Sequence, residues 1–63
     1  MQPHQQRVVT EKKELDEKLE KLKSFFGTEI FLGLGDAEID RMKRQADYMS
    51  AYSDVLGERI AAF

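Results

Sequence analysis

The residues able to do chemistry are few, and most lack a partner at a useful spacing. Ser24, Ser50 and Ser53 are candidate nucleophiles, but no base is legible beside them, and the only histidine, His4, stands alone near the N-terminus. The carboxylates are scattered among lysines, as on a solvated helix surface and unlike a metal site. Gly33-Leu34-Gly35 is too short for a dinucleotide fingerprint and follows no strand. With no cysteine, disulfides and thiolate metal ligands are excluded. An enzyme reading is set aside, and neither cofactor nor metal is expected.

Cations are the remaining candidates. Lys12, Lys13, Lys18, Lys21 and Lys23 keep a helix soluble in the plainest reading. Lys18 and Lys21 also flank Leu19 and Leu22, where a lysine at an interface edge can reach an anion as a mobile point charge. Arg41 and Arg59 share a line with Tyr48 and Tyr52. A guanidinium fork suits phosphate, and a tyrosine ring suits a base or sugar. Tyrosine and arginine are equally enriched where subunits meet, so a ligand site and an oligomer interface both stay open here.

Two helices must position these groups. Pro3 is tolerated in a first helical turn, so helix one, expected over about 5–26, can begin at about Pro3 to Gln5. From Gln5 to Phe26 nothing breaks it, and Val8, Leu15, Leu19, Leu22 and Phe26 follow a three-four rhythm interrupted at Lys12. Lys13–Glu17, Glu14–Lys18 and Glu17–Lys21 are opposite charges at i,i+4, each expected to add about 0.2–0.5 kcal/mol if closed. Gly27 is expected to end this helix in the left-handed conformation. In the apolar connector 27–35, a helical turn is expected over Glu29–Leu32 with Thr28 as its cap, and Gly33 and Gly35 ease the reversal. Helix two is expected over about 36–61, capped by Asp36, with Gly57 its one weak interior position.

Helix two carries more apolar surface than one partner can cover. Ile39, Met42, Ala46, Met49, Leu56, Ile60 and Phe63 form one stripe, expected to close on helix one. Arg41, Gln45, Tyr48, Tyr52, Val55, Arg59 and Ala62 form a second, offset stripe. The predicted architecture is all-α: one domain over 1–63, an antiparallel helical hairpin with a short helical connector, assembling into an oligomer through Tyr48, Tyr52 and Val55.

Composition agrees with self-association. A chain of 63 residues buries little of its surface and commonly needs disulfides, metals or partners for support. The net charge of −2 is unlike that of proteins that coat DNA or RNA, and it is unlike a polybasic membrane anchor. No apolar run is long enough to span a bilayer, and the first residues lack the build of a signal peptide. A soluble cytoplasmic protein is expected.

Three segments carry a family resemblance: Gln5-Gln6-Arg7-Val8-Val9-x-Glu11-Lys12, Glu14-Leu15-Asp16-Glu17-Lys18-Leu19-x-Lys21-Leu22, and Tyr52-Ser53-x-Val55-Leu56-x-Glu58-Arg59-Ile60-Ala61-Ala62-Phe63. Together they resemble a family of very small bacteriophage proteins related to the anti-CBASS cyclic-oligonucleotide sponges. The resemblance covers nearly the whole chain, the connector least well. It implies a non-catalytic protein of the infected bacterial cytoplasm that sequesters cyclic oligonucleotide immune messengers and so blocks anti-phage signalling. It implies a helical homo-oligomer, a hexamer built as a trimer of dimers. By the same resemblance, cyclic dinucleotides sit between protomers near His4, Lys18 and Lys21, and cyclic trinucleotides near Arg59 and Ala61. The chain departs from that pattern at His4, where relatives often carry an aromatic residue, and at Gly35-Asp36, where they tend to carry proline.

The alternative function is a helical protein–protein interaction module that inhibits a host factor, using the same surplus stripe. Nucleic-acid binding through helix one is a weaker third idea, opposed by the charge balance.

Overall fold

The computed structural model describes residues 1–63 as three helices in the order α1 (Pro3–Phe25), α2 (Glu29–Leu32) and α3 (Asp36–Ala61), with no strand. The long helices α1 and α3 pack along one another, joined by the short α2, in a rod of 46 × 15 × 13 Å. No helix is long and apolar enough to cross a membrane.

α1 begins at Pro3, the early edge of the start the sequence allows, because its first turn is organised locally. Pro3 occupies a position where no backbone N–H is needed, and the Gln5 side-chain oxygen accepts from the Gln2 N–H at 2.9 Å. The other end corrects the expectation for Gly27. No glycine has a positive φ, and the chain leaves α1 through right-handed turns. The N–H groups of Phe26, Gly27 and Thr28 donate to the carbonyls of Lys23, Ser24 and Phe25 at 3.0–3.2 Å. Such tightening satisfies the last carbonyls without a left-handed residue.

Thr28 links the two helices. Its hydroxyl donates to the Phe25 carbonyl at 2.7 Å and accepts from the Phe31 N–H at 3.2 Å, closing α1 while capping α2. The turn drives Phe31 inward, to 4% exposure, against Phe25 edge-on at 5.9 Å and Phe26 tilted at 4.8 Å. Its neighbours Ile30 and Leu32 point outward, 70% and 73% exposed, so the apolar connector packs only in part. Gly35, not Asp36, is the N-cap of α3. Asp36 and Glu38 instead lie in the first turn, where negative charge complements the helix dipole.

The core between α1 and α3 holds Val8, Leu19, Ala46 and Leu56, with Leu15, Leu22, Ile39, Met42, Met49 and Ile60 half-buried around them. Phe63 departs from its stripe: it follows the end of α3 and stays 46% exposed. All three expected i,i+4 pairs stay open. Lys13–Glu17, Glu14–Lys18 and Glu17–Lys21 form no ion pair, whereas Lys12–Asp16, Arg41–Glu38 and Arg44–Asp40 do. On an exposed face, the Coulomb gain barely offsets the entropy of fixing two long side chains.

Candidate functional site

The apolar lines of both helices are interrupted once each, and the interruptions meet. Lys12 breaks the α1 line; Ser53 occupies the vacant step between Met49 and Leu56 on the α3 line. Lys12 Nζ donates to Ser53 Oγ at 2.7 Å and to Asp16 Oδ2 at 3.2 Å, and Ser53 Oγ donates to Asp16 Oδ1. Ser53 is buried, and no buried side-chain polar atom lacks a partner. One turn further along α3, Gly57 lies beside Lys12, where an added Cβ would stand 3.6 Å from Lys12 Cε.

A serine within hydrogen-bond reach of a lysine invites a catalytic reading, and its chemistry argues against one. The hydroxyl proton is already directed at Asp16. That carboxylate is held below its ordinary 3.8, first by the Ser53 hydrogen bond and then by Lys12, which makes it a poor base. Nearby backbone N–H groups belong to the ladders of α1 and α3, leaving no donor pair for an oxyanion. The trio fastens the two helices. In the sequence Ser53 is only a serine with no legible base; the signal available there is that Lys12 and Ser53 each fall in phase with an apolar line.

The second α3 stripe stands free of the hairpin. Tyr48, Val55 and Tyr52 are 69%, 51% and 45% exposed. Beside them, Arg41, Arg44, Gln45, Tyr48, Met49 and Tyr52 line an open groove of ≈ 460 Å3. Arg41 and Arg44 each use Nε to hold an acid on their own helix, Glu38 and Asp40, both at 2.9 Å. Their terminal Nη groups make no hydrogen bond within the protomer. This face combines cationic forks with two aromatic rings, suited to an anion that carries flat groups.

The other predicted site residues do not converge within one protomer. His4 lies in the first turn of α1; Lys18 and Lys21 lie further along it; all three are exposed. At 1.5 Å per residue, His4 stands about 21 Å from Lys18 and about 26 Å from Lys21 along the helix axis. Arg59 and Ala61 are exposed in the last turns of α3, at the same end of the hairpin as His4 because the helices run antiparallel. Lys18, Lys21 and Arg59 make no ion pair. No grouping of three or more acidic or imidazole side chains is arranged to hold a metal.

A family profile described as Sequestin matches residues 2–62, spanning all three helices. No curated protein and no solved structure matches the chain.

Proposed function

The chain belongs to the Sequestin family, and from that premise we propose that it binds and sequesters cyclic oligonucleotides, without catalysis. The family name denotes sequestration, in agreement with the resemblance to the phage anti-CBASS sponges. The observation that carries the chemistry is the exposed α3 face, where Arg41, Arg44, Tyr48 and Tyr52 border one groove. A cyclic di- or trinucleotide presents phosphates to arginines and bases to rings. The groove is open, and a rod this thin encloses no ligand alone, so the pocket forms where protomers meet. Tyr48, Tyr52 and Val55 make the protomer contact of a homo-oligomer, a hexamer by resemblance.

In this reading, cyclic dinucleotides are gripped by His4 together with Lys18 or Lys21. Their separation along α1 requires those residues to come from different protomers. Cyclic trinucleotides are held near Arg59 and Ala61, where the small alanine leaves room for a ring. The protein acts in the cytoplasm of an infected bacterium, keeping the messenger from its effector.

The test is a thermal-shift and calorimetric panel of cyclic di- and trinucleotides, with linear dinucleotides as controls. A saturable shift confined to cyclic ligands is expected. No shift across the panel well above micromolar ligand refutes the reading. A second reading, a module that docks on a host protein, is favoured by one observation: Ile30 and Leu32 stand exposed at the hairpin tip. A stoichiometric host partner, lost in Ile30→Ser/Leu32→Ser and indifferent to cyclic nucleotides, would support it.

A further inference from the structure

The exposed stripe of α3 has the same spacing, the same end residues and the same central residues from either end. Arg41, Gln45, Tyr48, Tyr52, Val55 and Arg59 are spaced four, three, four, three and four residues apart. An arginine closes each end, and two tyrosines straddle the midpoint. A pattern symmetric in spacing, and in chemistry at its ends and centre though not at Gln45 and Val55, suits an isologous contact, in which each interaction occurs twice about a two-fold axis. Antiparallel pairing of two α3 stripes centred between Tyr48 and Tyr52 sets Tyr48 against Tyr52 of the second copy, and Gln45 against Val55. It also sets Arg41 of one copy against Arg59 of the other at both ends.

That arrangement contains a conflict. The stripe carries no acid, so the two arginines at each end repel one another. Arg41 is only partly neutralised, through Nε, by Glu38, and Arg59 has no ion pair. An anion between them removes the repulsion and takes hydrogen bonds from both forks. We propose that Arg41 of one copy and Arg59 of a second copy form a two-fold-repeated anion clamp, and that pairing through α3 is therefore coupled to binding of a phosphate-bearing ligand. The inference rests on the reading of this face as a protomer contact. It adds Arg41 as a binding residue, supplied by the neighbouring copy, and makes the site incomplete in one protomer. The two clamps lie eighteen residues apart along α3, about 27 Å, so each holds its own anion.

Charge reversal tests the pairing without any nucleotide. The monomer–dimer equilibrium is measured by sedimentation velocity at low salt, and circular dichroism checks helicity. Arg41→Glu places a carboxylate opposite Arg59 of the second copy and tightens pairing about three- to tenfold, an effect that fades with salt. Arg59→Glu does the same from the other side, and the double reversal restores repulsion and abolishes the gain. Inorganic pyrophosphate, compared with chloride at equal ionic strength, strengthens pairing of the unmodified protein and leaves Arg41→Glu unaffected. If both single reversals weaken pairing or leave it unchanged, or if pyrophosphate has no effect on the unmodified protein, the clamp is refuted. Because these arms contain no cyclic nucleotide, they stand or fall separately from the sponge reading.

Discussion

Gly57→Ala is a perturbation whose size follows from the structure. Gly57 lies inside α3, four residues before its end, so alanine there gains helix propensity. The gain is about 0.8–1.0 kcal/mol, because glycine loses more backbone freedom on folding. The added methyl meets only Lys12 Cε, at 3.6 Å, an ordinary van der Waals contact that needs no movement of the hydrogen-bonded Lys12. No steric penalty offsets the propensity. For a chain of this length, about 1 kcal/mol corresponds to a rise in Tm of about 4–8 °C. The assay is thermal and urea unfolding followed by circular dichroism, with the urea slope checked for constancy. Gly57 faces α1 and not the Tyr48–Tyr52 stripe, so pairing through that stripe leaves the gain intact. An unchanged or lowered Tm in dilute protein would refute the reasoning. A rise when dilute that reverses when concentrated would place another protomer's backbone against Gly57.

Four further outcomes follow. Leu56→Ala, at the most buried side chain in the chain (1% exposed), is expected to cost about 2–5 kcal/mol, read as a fall in the urea midpoint. Domains of this size are commonly stable by only about 3–9 kcal/mol, so much of the population should unfold at 37 °C. The folded Asp16 carboxyl titrates below 3.8, so the unfolded chain binds more protons in that window; its stabilising effect is full above 3.8 and is lost as pH falls through the lower folded value. Asp16→Asn should therefore flatten the acid limb of Tm against pH, and an unchanged limb would contradict the Ser53 and Lys12 hydrogen bonds. Tyr52→Glu should disrupt assembly in light scattering while leaving the protomer helical, since Tyr52 is 45% exposed and outside the hairpin core. Arg59→Ala should weaken cyclic-trinucleotide binding by about tenfold in calorimetry and spare assembly, consistent with the loss of one charged hydrogen bond.

Helicity was legible in the sequence because it rests on local spacing. The apolar lines of α1 and α3, Thr28 before Glu29–Leu32, and a second stripe that one partner could not cover are all properties of neighbouring residues. The end of α1 was not legible, because a glycine permits a left-handed turn without requiring one. The Thr28 hydroxyl and the burial of Phe31 against Phe25 and Phe26 favoured a right-handed exit. Ile30 and Leu32 were equally ambiguous: apolar character says that a residue gains from cover, and only the packing of Phe31 decides which side faces in.

The sequence by itself determined an all-helical chain and an α3 with two faces, since both follow from periodicity along one helix. It also carried the family signal, which depends on residue order across nearly the whole chain. Only tertiary structure decided the meaning of Lys12 and Ser53. Each alone is a polar flaw in an apolar line, and forty-one positions separate them. Folding brings them to 2.7 Å, where each satisfies the other and Asp16 completes the set. Long-range pairing of this kind has no periodic signature, because the register of one helix against the other exists only once both are packed.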